Sequence, residues 1–174
     1  AMGNYVNEGS LTLDLLDRKG KHNNGFCHWP VPVHFRNNKR IPGESNFTCN
    51  VVYGQPGAAL EGYETLFHEG GHAAHYLNSE ERDICMNIEY APASVAWAET
   101  QSMFLDTVFF SYEWKSRYAK NKGGKIYPLD LYKRKLKRLS VLAPLGLMGI
   151  ISVSDFERTI FETKGLTSQK VLMI

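Results

Sequence analysis

The first third of the chain alternates apolar and polar residues with a period of two. Leu11, Leu13 and Leu15 are separated by polar side chains, and this alternation predicts a half-buried strand. Two prolines within residues 26–35 remove ladder donors, so we expect an edge or irregular strand there. A further strand is predicted at residues 46–53, after a loop. The first third is therefore expected to form a small antiparallel sheet.

From residue 59 onward the pattern changes to longer apolar segments that favour helices. Residues 64–78 are mostly apolar and compatible with a buried helix, and the apolar segment at residues 93–114 is long enough to favour a second helix. Residues 121–125 form a predicted turn. An apolar stripe then recurs at helical spacing over residues 129–139, with the basic run 133–138 on the outward face.

Residues 141–153 are apolar but shorter than the roughly 20 residues of a membrane span, and one proline and two glycines interrupt them. We predict a buried loop here, or a surface that an absent partner segment would cover. Ser154 is expected to cap a last helix that runs through Glu162.

Composition limits the class of protein. A chain of 174 residues with 43% apolar residues has the size and core content of one globular domain. We therefore predict a single α+β domain over residues 1–174, strand-rich at 9–54 and helical at 59–174. The net charge of +2 gives no reason to expect a polyanionic partner. The odd cysteine count of 3 and the lack of a signal-peptide pattern favour a cytoplasmic protein.

The strongest chemical signal is the H-E-x-x-H pattern formed by His68, Glu69 and His72. Residues four apart on a helix lie on one face with Cβ atoms about 5–6 Å apart, which suits two imidazoles binding one zinc ion. Glu69 lies too far round the helix to be a third ligand, but it can reach a water on the metal as general base. A chance pattern on a solvated face is the alternative, and the apolar flanks argue against it.

His75 continues the histidine stripe, but it lies about 10 Å along the axis from His68 and cannot share the same ion. We expect it to support the ligands or to be a satisfied core histidine. The third ligand must then be a carboxylate further along the chain. The candidates are Glu80, Glu81, Asp83, Glu89, Glu99 and Asp106. The first four lie in predicted loops, whereas Glu99 lies in the apolar helix and is favoured as the third ligand.

These residues resemble the zinc oligopeptidases typified by thimet oligopeptidase and oligoendopeptidase F. The stretch GSLTLDL at residues 9–15, followed by RKGK at 18–21, is similar to that family's lead-in motif. Residues 63–67 are similar to its approach to the zinc helix. Glu99, with Ser102, Phe104 and Asp106, resembles its second zinc helix. The chain departs from the family pattern at Gly70, and the resemblance fades after about residue 115.

The resemblance implies a zincin-like fold, a Zn²⁺ cofactor bound by His68, His72 and Glu99, and short peptides as substrates. It places Asp106 and His75 beside the ligands rather than on the ion. It also implies that peptidase segments before residue 1 and after residue 174 are missing, so that the chain corresponds to a fragment or a reduced relative. For that reason we expect the isolated chain to be a poor enzyme.

Two other functions stay open at this point. The chain could be a non-catalytic peptide- or metal-binding module derived from such a peptidase. Its basic run at residues 133–138 could bind nucleic acid, although a solvated helix face explains that run better. We therefore predict neither a nucleic-acid partner nor membrane association.

Overall fold

The computed structural model describes residues 8–22, 24–79 and 95–174. The chain divides into two compact units, Ala1–Trp114 and Lys115–Ile174. Named strands lie within residues 10–51 and helices within residues 58–173, which is the α+β order predicted from the sequence. The prediction that residues 1–174 form a single domain stays a prediction.

The strands of the first unit form a three-stranded sheet and a separate two-stranded ribbon. They are β1 (Ser10–Leu16), β2 (Phe26–Val31), β3 (His34–Arg36), β4 (Lys39–Ile41) and β5 (Glu44–Val51). The larger sheet has the order β1-β5-β2. Strand β2 is antiparallel to β5, as predicted, but β1 is parallel to β5. The sheet is therefore mixed and the prediction of an antiparallel sheet was wrong, because alternation identifies a strand without giving the direction of its partner.

The loop predicted before the third strand contains a short hairpin instead. Strands β3 and β4 pair in antiparallel register around Asn37 and Asn38, whose φ angles are 51° and 60°. Two-residue hairpin turns of type I′ require positive φ at both central residues, and asparagine tolerates this conformation. The Asn-Asn pair therefore explains the turn.

Lys21 fixes the end of β1 against β5. Its Nζ donates to the main-chain oxygens of Asp14, Leu16 and Cys49 at 2.7, 2.9 and 2.7 Å. It also lies 3.1 Å from Oδ1 of Asp14, and its side chain is only 6% exposed. The register of β1 on β5 shifts between Asp14 and Leu16, so this ammonium group satisfies carbonyls at an irregular point of the ladder. The lysine of the lead-in motif thus has a structural role.

Replacing Lys21 by methionine is expected to lower the free energy of unfolding by about 1–3 kcal/mol, because carbonyls that are partly buried lose their donor. Urea unfolding followed by circular dichroism measures the change. Lys19→Met is the matched control, since Lys19 is exposed in the same turn and its loss should change stability by less than about 0.5 kcal/mol. Equal effects of the two variants would contradict the role given to Lys21.

Helices α1 (Ala58–Asn78) and α2 (Val95–Phe110) carry the predicted site. Helix α1 packs against β5, β2 and α2. The face of β5 that carries Phe47 and Cys49 is buried, as is Leu77 of α1. Phe67, Phe109 and Trp114 form an aromatic cluster with ring centroids 4.9–5.1 Å apart. Both helices therefore form where the apolar patterns predicted them, and α3 (Tyr112–Tyr118) follows.

The second unit contains the turn predicted at residues 121–125, in which the main-chain N–H of Gly124 donates to the oxygen of Asn121. It also contains α4 (Leu129–Glu162) and α5 (Ser168–Met173). Residues 141–153 were predicted to form a buried loop or a surface that an absent partner segment would cover. They continue α4 and are exposed, so the buried loop was wrong and the covered surface stays a prediction. Ser154 does not cap a new helix, because its hydroxyl donates to the oxygen of Ile150 within α4. Local breakers such as Pro144 do not end this helix.

By length and composition alone, α4 could cross a membrane. Its uncharged stretch, residues 139–154, is 16 residues long. At a rise of 1.5 Å per residue these span about 24 Å, which is less than the roughly 30 Å of a bilayer core. The expectation that the chain does not associate with a membrane stays a prediction.

Candidate metal centre

His68, His72 and Glu99 meet where α1 and α2 pack together. Each offers one ligand atom, and the three atoms lie within 4.8 Å of one another. Oε2 of Glu99 is 3.4 Å from Nε2 of His68 and 3.4 Å from Nε2 of His72. Two ligand atoms at about 2.0–2.1 Å from a tetrahedral zinc ion are about 3.3–3.4 Å apart. The structure therefore brings together the three residues predicted as ligands, at a spacing that could hold an ion.

Gly71 allows the two helices to approach closely enough for this convergence. A Cβ at position 71 would lie 2.6 Å from Cα of Ser102 and 3.0 Å from the main-chain oxygen of Gln101. These contacts are with backbone, which cannot move aside as a flexible side chain can. Gly70 and Gly71 both lower the helix propensity of α1. The helix crossing nevertheless requires glycine at position 71.

Asp106 holds the first histidine in place. Nδ1 of His68 lies 2.8 Å from Oδ2 of Asp106, and a carboxylate can only accept, so the proton lies on Nδ1. Nε2 of His68 is then free of a proton and faces Glu99, as a metal ligand requires. Burial alone lowers the pKa of His68, but the hydrogen bond to Asp106 and the charges of Glu69 and Glu99 raise it above its ordinary value.

The second histidine is more deeply buried. Burial lowers the pKa of His72, while the charge of Glu99 opposes that shift. Its Nδ1 has no hydrogen-bond partner of good geometry within the described residues, although the main chain of Ala98 is near enough to raise the pKa. His72 therefore favours the neutral form that binds metals.

His75 lies beside the site without joining its hydrogen bonds. Its ring stacks on Tyr76 at a centroid distance of 5.5 Å, and burial lowers its pKa. Its Nδ1 has no partner among the residues described here. A contact between His75 and a ligand stays a prediction. Glu80, Glu81, Asp83 and Glu89, which were weighed as ligands, lie outside the described residues.

Glu69 is buried next to the predicted ligands, and its carboxyl group has a raised pKa. Burial raises the pKa of Glu69 to about 7, with the charge of His68 opposing and those of Glu99 and Asp106 adding to the rise. The main chain of Cys27 is near enough to lower the pKa in part. A carboxylate with a pKa near neutrality is suited to general acid–base work.

Strand β2 therefore borders the site, which sequence reasoning missed. The strand that precedes α1 along the chain, β5, is the central strand and has neighbours on both sides, so it offers no free edge to a peptide. Strands β1 and β2 are the two outer strands of this sheet, and Cys27 of β2 lies near Glu69. The Cys27 side chain is half-buried, and burial raises the pKa of its thiol to about 12, which disfavours the nucleophilic thiolate.

Ser102 is a second residue whose contact sequence reasoning did not find. It is fully buried, and its Oγ lies 2.9 Å from Oε2 of Glu99. A signal was available: Glu99, Ser102 and Asp106 follow i, i+3, i+7 spacing, which places three polar residues on one face of an apolar helix.

Comparison with known proteins gives one family. The model of the family described as peptidase family M3 matches residues 6–173, which is nearly the whole chain and includes both ligand-bearing helices. No curated protein matches the chain. The family resemblance seen in the sequence is confirmed by this match.

Proposed function

The chain belongs to peptidase family M3, and from this premise we propose that it is a zinc-dependent endopeptidase acting on short peptides, with Glu69 as general base. The observation that carries the proposal is the convergence of His68, His72 and Glu99: their ligand atoms lie within 4.8 Å of one another, and Oε2 of Glu99 is 3.4 Å from Nε2 of each histidine. A zincin-like arrangement, in which α1 carries H-E-x-x-H and α2 carries the third ligand, belongs to the same proposal.

The donor set fits zinc. Two imidazole nitrogens and one carboxylate oxygen are the ligands of many catalytic zinc sites, in which the fourth position stays open. Asp106 fixes the tautomer of His68, and burial favours the neutral form of His72. When bound, zinc supplies a Lewis acid for the peptide carbonyl and lowers the pKa of water towards about 7.

The protein's own contribution to proton transfer is assigned to Glu69. Its carboxylate takes a proton from water and delivers it to the nitrogen of the leaving amine. The main chain of Cys27 lies near this carboxylate and favours its charged form in part. Burial raises the pKa of Glu69 to about 7, so near neutral pH the carboxyl group can both accept and release a proton.

The outer edge of β2 is the proposed place where the substrate lies. No other strand pairs with that edge in the part of the chain that the structure describes. An extended peptide can add to such an edge through main-chain hydrogen bonds. Since Cys27 of β2 lies near Glu69, a peptide along this edge would run close to the general base.

The proposal is tested by measuring zinc content and peptide turnover of the purified chain together. We expect one tightly bound zinc ion per chain and slow hydrolysis of a mixed pool of short peptides, since the isolated chain is expected to be a poor enzyme. That hydrolysis should stop when zinc is removed by a chelator and resume when zinc is restored. Zinc without turnover would support the alternative of a non-catalytic metal-binding module. A chain that bound no zinc would overturn the proposal.

A further inference from the structure

We propose that Ser102 is a positioning residue that holds Oε2 of Glu99 towards the two histidines; this inference rests on the zinc site proposed above. The Ser102 hydroxyl lies 2.9 Å from Oε2 of Glu99. That same oxygen is the atom 3.4 Å from Nε2 of His68 and of His72. The serine thus contacts the one carboxylate oxygen that faces both imidazoles.

The place of Ser102 in the fold makes this contact rigid. Its relative exposure is 0%, whereas the side chain of Glu99 is 41% exposed. Its Cα lies against Gly71 at the crossing of α1 and α2, so its position is fixed relative to the helix that carries both histidines. A half-exposed glutamate would otherwise lose side-chain entropy to reach one rotamer, and a fixed donor reduces that cost.

A purely local role is the alternative to exclude. Ser102 also lies 2.8 Å from the main-chain oxygen of Glu99, and serines in helices often donate to a carbonyl one turn earlier. One hydroxyl has one proton, which it shares between the two oxygens. Only the contact with Oε2 should influence a bound metal, so the two roles give different results when the hydroxyl is removed.

Ser102→Ala removes the hydroxyl and keeps a good helix former, so the chain is expected to fold. Zinc affinity, measured by competition with a chelator, should fall about tenfold, within the range of about 10–100-fold for partners that orient metal ligands. With Co²⁺ in place of zinc, the visible absorption should change, because a freed Glu99 carboxylate can bind through both oxygens and raise the coordination number. Thermal unfolding of the metal-free variant checks its folding.

Thr100→Ala is the matched control. Its hydroxyl lies on the same helix and donates to the oxygen of Ala96 at 2.9 Å, so it reports the loss of a helix-bonded hydroxyl alone. It should leave zinc affinity and the Co²⁺ spectrum unchanged. In a Glu99→Ala background, Ser102→Ala should make no further difference to zinc affinity, since the serine acts through Glu99.

The outcomes separate this inference from the proposed function. If the parent chain binds zinc and Ser102→Ala leaves both the affinity and the Co²⁺ spectrum unchanged, the positioning role is wrong and the zinc site stands. An equal loss of affinity in the Glu99→Ala background would also overturn it, because the serine would then act by another route. If the parent binds no zinc, the proposed function fails and this inference fails with it.

Discussion

Replacing Glu69 by glutamine is expected to reduce peptide hydrolysis by about 10²–10⁴-fold while leaving zinc bound. The amide has nearly the same shape as the carboxylate but cannot accept a proton. Since Glu69 lies on α1 beside His68 and its carboxylate is not among the three converging ligand atoms, metal content should stay at one ion per chain. The measurements are the rate of peptide cleavage and the zinc content of the same preparation.

Glu61→Gln is the control for this variant. It makes the same chemical change on the same helix, at an exposed position in the first turn, and should leave both turnover and zinc content near those of the parent. Loss of zinc in Glu69→Gln would make Glu69 a structural residue. Full activity in Glu69→Gln would exclude it as general base.

Helices α1 and α2 of the first unit could largely be predicted from local sequence. The H-E-x-x-H spacing and its apolar flanks predict α1, and the length of the apolar segment around Glu99 predicts α2. These signals are strong because each spans several helical turns. Burial of the apolar face then stabilises the helix that the pattern predicts.

The parts that sequence did not predict depend on contacts between distant residues. The parallel pairing of β1 with β5 is one, because a period of two does not identify a partner strand. Helix α4 is a different case, because its signals are local: Pro144 costs about 3 kcal/mol in a helix interior, yet the helix continues through it, with leucine, alanine and methionine on either side that favour a helix. The turn at Asn37 and Asn38 is a local feature. The Asn-Asn pair that favours it was interpreted as part of a loop.

The same distinction applies to the site. The positions of His68, Glu69 and His72 relative to one another are fixed by a single helix, so spacing alone predicts them. The contact of Asp106 with His68 needs the angle and register at which two helices cross. The contact of Ser102 with Glu99 lies within α2, but the place of Ser102 against α1 also depends on that crossing. That crossing depends on Gly71, whose importance is visible only when its neighbour Ser102 is known.

Removing the Glu99 carboxylate is expected to weaken zinc binding by more than about 100-fold, beyond the range of about 10–100-fold for residues that only orient ligands. Oε2 of Glu99 is 3.4 Å from Nε2 of each histidine, so Glu99→Ala would leave two neutral imidazoles without a negative charge to offset that of the ion. His75→Ala is the comparison, because its ring stacks on Tyr76 and its nitrogen atoms are not in the ligand group; it should weaken binding far less. Chelator competition on both variants measures the difference. Zinc retained in Glu99→Ala and lost in His75→Ala would show that the third ligand had been assigned to the wrong residue. A larger loss of affinity in Glu99→Ala than in His75→Ala would support an ion between α1 and α2, where Glu69 can act on a water beside it.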